Sequence, residues 1–195
     1  MTGGVIDRHE CGSCRSRRAV LLAGGSIAGA ALAGCLGDDD DAEVSPTDLS
    51  DGVSCDVCGM VVADHFGPAV QAFYSNGPAG SDAGTVVTDS VREFVVLHEE
   101  KMGGDTRLQG AFVTDYSMIE YDVITAEHAP HLTSHVGVND FAAITELSFV
   151  VESELRGAMG EDAFPFSDHD EGDAVAAEFD GVLVDWDKLA SVFLE

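Results

Sequence analysis

An uncharged stretch of sixteen residues, 19–34, sets the strongest limit on what this chain can fold into. It is rich in glycine and alanine, and it is too short to cross a bilayer, which takes about 20 apolar residues in a helix. It also lacks the polar face that a helix on the surface of a folded body would need. Such a segment is typical of the apolar part of an N-terminal export signal. The folded body must then come from later residues, beginning near Gly52.

The residues on either side of this stretch support the same interpretation. Arg17 and Arg18 precede it and resemble a twin-arginine export signal, which carries folded proteins. Cys35 follows it in a Leu-Ala-Gly-Cys sequence that resembles a lipobox, in which the cysteine is lipidated and begins the mature chain. The acidic run after Cys35 cannot bury apolar surface. We therefore predict a signal peptide over 1–34, a lipidated and disordered tether over 35–52, and a mature protein anchored by lipid at the extracytoplasmic face of the cell membrane.

The charge of the chain excludes one class of partner. The sequence has 36 acidic and 9 basic residues and a formal net charge of -27, and four of the basic residues lie in the first eighteen positions. Affinity for nucleic acid comes mainly from Lys and Arg, so we expect no nucleic-acid partner. Hydrophobic residues make up 45% of the chain, which is compatible with a folded core under an acidic surface. This surface resembles that of halophilic proteins, because high salt screens its self-repulsion.

The pattern of the body predicts an α+β fold. β-branched and aromatic residues indicate strands at 69–74, 85–88, 147–151 and 182–184. One or two further strands are expected within 109–125, at 111–114 and 118–124. Three helices are expected: one after Ser90, where Glu93 completes a capping box, and two at 170–179 and 187–193. Residues 126–140 and 156–166 are expected to be irregular. The order of these elements favours two small units, 53–125 and 126–195, over a wound parallel sheet.

The body keeps two cysteines, Cys55 and Cys58, in the sequence Cys-Asp-Val-Cys-Gly-Met. Such a pair can serve in thiol–disulfide exchange, in a zinc site or in a soft-metal site. The case for thiol–disulfide exchange is weakened because no helix N-terminus is evident after the cysteine pair. A zinc site would need histidines as further ligands because the body has no second cysteine pair. Met60 offers a thioether, which suits Cu(I), and Gly59 lets the backbone turn tightly between the two sulfur ligands. The residues alone leave all three chemistries open.

A longer pattern around this pair resembles a known family. Cys-Gly-Met at 58–60, followed by His-x-Gly-Pro-x-x-Gln at 65–71, resembles the start of the NosL family, the accessory lipoproteins of nitrous oxide reductase. Further matches follow in the same order and span about residues 53 to 190. The resemblance implies a fold of two small ββαβ units. It also implies a non-enzymatic Cu(I) metallochaperone for the copper centres of nitrous oxide reductase in denitrification, with the reductase and other copper-assembly proteins as partners.

The same resemblance implies a set of metal ligands. Cys58 and Met60 are the best candidates for Cu(I), and Met159 matches a second methionine of the family. His65 fits a ligand, a residue that supports a ligand, or a turn. Cys55 is a second thiolate or a spectator.

Two other functions and one other site remain open. The pair could make the protein an exported thiol–disulfide oxidoreductase, or it could be a plain disulfide in a structural lipoprotein. His128, His131 and His135 fall in the predicted loop 126–140, where irregular spacing favours solvated histidines over a second metal site. A second ion that borrows one of them is a further possibility.

Overall fold

Nine strands and three α-helices lie in the residues that the computed structural model describes, 44–75, 84–101 and 106–194. The strands are β1 (Val70–Tyr74), β2 (Thr85–Thr88), β3 (Leu108–Thr114), β4 (Val123–Ala126), β5 (Ala129–Leu132), β6 (Phe141–Ala143), β7 (Ser148–Val151), β8 (Phe164–Phe166) and β9 (Val182–Asp185). The helices are α1 (Val91–Lys101), α2 (His169–Glu178) and α3 (Leu189–Phe193). No helix of the described residues is long and apolar enough to span a membrane. The mixture confirms the predicted α+β class.

The first sheet has the strand order β2-β1-β3-β6 and is antiparallel at every pairing. Its strands carry valine, phenylalanine and threonine, which suit a half-buried pleated surface. Phe94 on α1 is fully buried and shares the largest core cluster with strands of this sheet and with Leu189 of α3. The first sheet and α1 therefore pack against each other around one core.

The second sheet has the order β8-β7-β9, also antiparallel. Here α2 begins after Asp168, whose carboxylate accepts the backbone N–H groups of Asp170 and Glu171 as an N-cap. The order β-β-α-β thus occurs twice along the chain. Strand β6 lies beyond residue 125 but pairs with β3 of the first sheet, and the division at 125 stays a prediction.

The two sheets are tied together by a buried carboxyl group. Asp162 precedes β8, yet its Oδ1 accepts the backbone N–H of Arg92 in the first turn of α1 at 3.0 Å and that of Ala163 at 2.9 Å. Asp162 is 3% exposed. Burial raises the pKa of its carboxyl to about 7, although these hydrogen bonds act in the opposite direction.

The structure corrects the two segments predicted to be irregular. Strand β5 lies within 126–140 and pairs with β4 in a hairpin whose two turn residues, Glu127 and His128, both have positive φ. This φ pattern fits a type I′ turn, which usually contains Asn-Gly, so Glu-His at these two positions does not predict a turn. Strand β8 lies within 156–166. Strands β5 and β8 each contain a proline and lie at the edge of a sheet, where a missing N–H is tolerated. Strand β6 was also not predicted.

Two further boundaries differ from the predictions. The strand predicted at 118–124 begins only at Val123, because Asp115 caps a short 3-10 helix over Tyr116–Met118 through the backbone N–H of Ser117. The packed body also begins before Gly52. Thr47 exchanges hydrogen bonds with the buried Gln71 side chain, and Leu49 is 2% exposed. The predicted signal at Arg17 and Arg18, the lipidation site Cys35 and the tether up to residue 43 lie outside the described residues.

Candidate metal centre

The cysteine pair lies in a short closed loop ahead of β1. The backbone N–H of Cys55 donates to the carbonyl of Met60 at 2.8 Å, and the N–H of Gly59 donates to the carbonyl of Cys55 at 2.8 Å. Gly59 has a φ of +75°, a conformation that side-chain-bearing residues rarely adopt. The loop therefore reverses at glycine and places Cys58 and Met60 on either side of the reversal.

The loop is fastened to the first sheet by Asp56. Its backbone N–H donates to the carbonyl of Val87 at 2.8 Å, and its Oδ2 accepts the N–H of Val87 at 2.7 Å. Val87 belongs to β2, so the loop adds to the edge of the sheet. This contact places the cysteines beside the end of β2, where Asp89 follows.

Asp89 joins two of the predicted site residues. Its Oδ2 lies 2.5 Å from Nδ1 of His65 and 3.4 Å from Sγ of Cys58. Asp89 is 2% exposed, and its Oδ1 has no hydrogen-bond partner. Ligand atoms of Cys55, Cys58 and Asp89 all lie within 4.8 Å of one another, which makes them a group able to hold a metal ion. Sequence reasoning missed Asp89 as a site residue.

The two cysteines differ in environment. Both are free thiols, but Cys55 is 2% exposed whereas Cys58 is half-buried. The Sγ of Cys55 accepts the backbone N–H of Cys58 at 3.5 Å. Burial raises the pKa of the Cys55 thiol to about 11, so at neutral pH it is a protonated thiol in the apo-protein. Cys58 is the more accessible sulfur.

These environments weigh against thiol–disulfide exchange. A reactive pair of the thioredoxin type has a lowered thiol pKa at the N-terminus of a helix. In the described residues after Cys58, the first helical element is a three-residue 3-10 helix, Val62–Asp64. The raised pKa of Cys55 acts in the wrong direction for a nucleophile.

A cavity of about 650 Å³ opens next to the loop. Met60 and His65 line one part of it, and Arg156, Ala158 and Gly160 line another. Met159 lies between the last two along the chain and is 46% exposed, but its own side chain does not line this cavity. Met60 is 47% exposed. Both thioethers are accessible from solvent.

Two glycines allow the two walls of this cavity to meet. Gly67 has a φ of +93°, and a Cβ placed on it would lie 2.9 Å from the Cα of Gly157. That distance is shorter than real Cβ contacts, so a side chain at residue 67 would push the segments apart. The Gly67 N–H also donates to the carbonyl of Leu132 on β5, at 2.9 Å. Close backbone packing thus brings Met159 to the side of the molecule that carries Met60.

The three histidines do not form one site. His128 is exposed in the turn between β4 and β5, and the half-buried His135 has its Nε2 3.0 Å from the hydroxyl of Thr133. His131 corrects the prediction of solvated histidines, because it is 7% exposed on β5 and lines the cavity. Its Nε2 lies 3.1 Å from the carbonyl of Ala126, its ring packs against Phe66, and its Nδ1 has no partner.

Comparisons with known proteins found one family and similar solved structures. The family model for NosL matches residues 46–193. The crystal structure of the copper chaperone NosL from Shewanella denitrificans is 22% identical, with a TM-score of 0.53, covering 75% of this chain and 94% of that one. The solution structure of the apo-NosL protein from Achromobacter cycloclastes is also 22% identical, with a TM-score of 0.38, covering 62% of this chain and 87% of that one.

No curated protein sequence matches the chain. At 22% identity, the likeness to the Shewanella protein shows a shared fold. The family match rests on the sequence and covers the cysteine loop, Asp89 and both sheets, which is most of the chain. The chain belongs to the NosL family.

Proposed function

We propose that this protein is an exported, lipid-anchored metallochaperone that carries Cu(I) for the assembly of the copper centres of nitrous oxide reductase. The observation that carries the proposal is the half-buried Cys58 thiol two residues from the exposed Met60 thioether, on a loop reversed by Gly59. Thiolate and thioether are soft ligands and select Cu(I) among the common metals. The relative from Shewanella denitrificans is described as a copper chaperone, which supports the same class of function.

The arrangement suits a carrier that gives up its cargo. On binding, Cys58 loses its proton and its thiolate bonds to Cu(I), while Met60 adds a thioether from the solvent side. A ligand of the acceptor protein can then bond to the ion before the Met60 bond breaks. Copper stays in the +1 state throughout, so no electron donor or acceptor is needed. The role proposed here is transfer, with no catalysed reaction.

The other predicted ligands have graded roles in this proposal. Met159 is exposed between two residues that line the cavity and can add a second thioether. His65 lines the cavity and offers a nitrogen. Cys55 lies close enough to Cys58 to act as a second thiolate, but burial of its sulfur and its raised pKa make it the more costly ligand.

The location of the carrier is part of the proposal. Arg17 and Arg18 would direct export, and lipid on Cys35 would hold the body at the extracytoplasmic face of the membrane. A short tether keeps the carrier at a high effective concentration near membrane-associated partners. Those partners would be nitrous oxide reductase and the other proteins that assemble its copper centres.

The test is Cu(I) binding by the mature chain under anaerobic conditions, measured by competition with a chromophoric chelator. We expect one tightly bound Cu(I) per monomer. We expect Cys58→Ser to weaken binding more than about 100-fold, beyond the 10- to 100-fold that loss of a supporting residue costs. Met60→Leu should weaken it less. Met118→Leu is the matched control, because Met118 is also exposed, at 59%, and lies outside the cavity lining.

Two results would count against the proposal. A Cys58→Ser protein that competes as well as the unaltered chain would remove the proposed ligand. Nitrous oxide reductase with its full copper content from cells that lack this protein would remove the proposed role in assembly. Disulfide reduction in an insulin assay that depends on Cys55 and Cys58 but not on Met60 would instead favour the oxidoreductase.

A further inference from the structure

We infer that Asp89 is a positioning residue of this centre, which holds the His65 ring so that its Nε2 is presented to the metal beside Met60. The inference rests on the proposed function for its metal. Its structural part, the state of the His65 ring, can be measured without any metal.

The contact with Asp89 decides which nitrogen of the His65 ring carries the proton. A carboxylate accepts hydrogen bonds, so the 2.5 Å contact between Asp89 Oδ2 and His65 Nδ1 requires the proton on Nδ1. In the neutral ring, Nε2 then carries the lone pair that a metal needs. Among the described residues, no hydrogen bond to Nε2 of His65 is recorded. The side chain is 18% exposed, and it lines the same cavity as Met60.

The elements on either side of Asp89 fix the position of its carboxylate. Asp89 lies between β2 and α1, two elements packed in the largest core cluster. Neighbouring Ser90 caps α1 by accepting the N–H of Glu93 at 3.2 Å, and the Thr88 hydroxyl donates to the Ser90 carbonyl at 2.8 Å. The segment that carries Asp89 is thereby held on both sides. His65, by contrast, follows only a three-residue 3-10 helix, so it gains its orientation from Asp89.

One carboxylate oxygen of Asp89 contacts two different segments of the chain. Oδ2 of Asp89 also contacts Sγ of Cys58 at 3.4 Å, so it connects the cysteine loop to His65 in the apo-protein. When Cys58 gives up its proton to bind copper, the hydrogen bond from His65 remains. A carboxylate behind a metal-binding histidine fixes the ring and raises its basicity.

The experiment uses two substitutions of Asp89. Asp89→Asn keeps the shape and a carbonyl acceptor, and Asp89→Ala removes both; if the alanine variant fails to fold, the asparagine variant carries the test. The first readout is the ¹⁵N NMR signature of the His65 ring in the apo-protein. We expect the Nδ1–H form in the unaltered chain and its loss, in part with asparagine and fully with alanine.

The second readout is Cu(I) affinity by chelator competition. Loss of Asp89 should weaken binding about 10- to 100-fold, and His65→Gln should cost a similar factor. The double variant, Asp89→Ala with His65→Gln, should bind Cu(I) only slightly more weakly than His65→Gln alone, because the two residues act through one contact. Asp115→Asn is the matched control: Asp115 is another fully buried aspartate with an unpartnered oxygen, outside the lining of the cavity.

Three results overturn the inference. An Nε2–H ring in the unaltered apo-protein contradicts the geometry. Affinity that stays unchanged in both Asp89 variants removes the positioning role. Losses that multiply in the double variant show that Asp89 acts apart from His65, for example as a direct ligand. If the unaltered chain binds no Cu(I), the proposed function fails, and the ring signature still decides whether Asp89 sets the state of His65.

Discussion

The buried carboxyl of Asp162 should make the stability of this protein depend on pH in a way that one substitution removes. Burial raises its pKa from 3.8 to about 7. The folded protein therefore holds this proton more tightly than the unfolded chain does. The contribution of Asp162 is most favourable below pH 3.8, declines as the pH rises toward 7, and stays at its lower level above that. The whole shift corresponds to about 4 kcal/mol.

Asp162→Asn isolates this contribution because the amide carbonyl can still accept the N–H groups of Arg92 and Ala163. Between pH 5 and pH 8 the two pKa values imply a change of about 3 kcal/mol for the carboxyl. The asparagine protein lacks that change. Its free energy of unfolding, relative to that of the unaltered protein, should rise by about this amount between those two pH values.

The assay is urea unfolding of both proteins from pH 5 to pH 8 at one high salt concentration. Contributions from all other groups are the same in both proteins and cancel in the difference. Asp187→Asn, at an exposed position, controls for the loss of one charge. A stability difference between the Asp162→Asn and unaltered proteins that stays constant within about 0.5 kcal/mol across the range would refute the reasoning.

The remaining predictions concern two glycines of the site, one control glycine and the N-terminal segment of the folded body. Gly59→Ala should lower the free energy of unfolding by about 1 kcal/mol through its positive φ, and it should also weaken Cu(I) binding in the chelator assay. Gly52→Ala, with a similar φ of +79° and equally open surroundings, should cost the same stability and leave binding unchanged. Gly67→Ala should cost more than about 2 kcal/mol in urea unfolding, because its Cβ would overlap Gly157; a milder effect would show that the segments separate easily. A chain that begins at Gly52 loses the Thr47 hydrogen bonds and a buried leucine, and its stability should fall by about 2–4 kcal/mol in thermal unfolding.

The elements that the sequence predicted well are those whose side chains alone carry the signal. Strand β2 has the predicted bounds and β1 differs by one residue, because β2 consists of β-branched residues and β1 carries a valine and two aromatic residues in five positions. The start of α1 after Ser90 was also predicted. The strands that were missed, β5, β6 and β8, have only three or four residues each, and β5 and β8 also contain proline. So short a segment carries little periodicity of its own, and its hydrogen bonds come from the strand beside it.

The sequence by itself determined the soft-ligand pair and the family. Cys58 and Met60 flank Gly59, so the sequence alone offers a thiol and a thioether close together in the chain, and the motif around them resembles the NosL family, to which the chain belongs. Only the tertiary structure decided which residues support that pair. Asp89 is 31 positions from Cys58 and 24 from His65, and it reaches both because the cysteine loop bonds to β2. Contacts between such distant positions are fixed by strand pairing and core packing, and those forces leave no mark on the spacing of the residues they bring together.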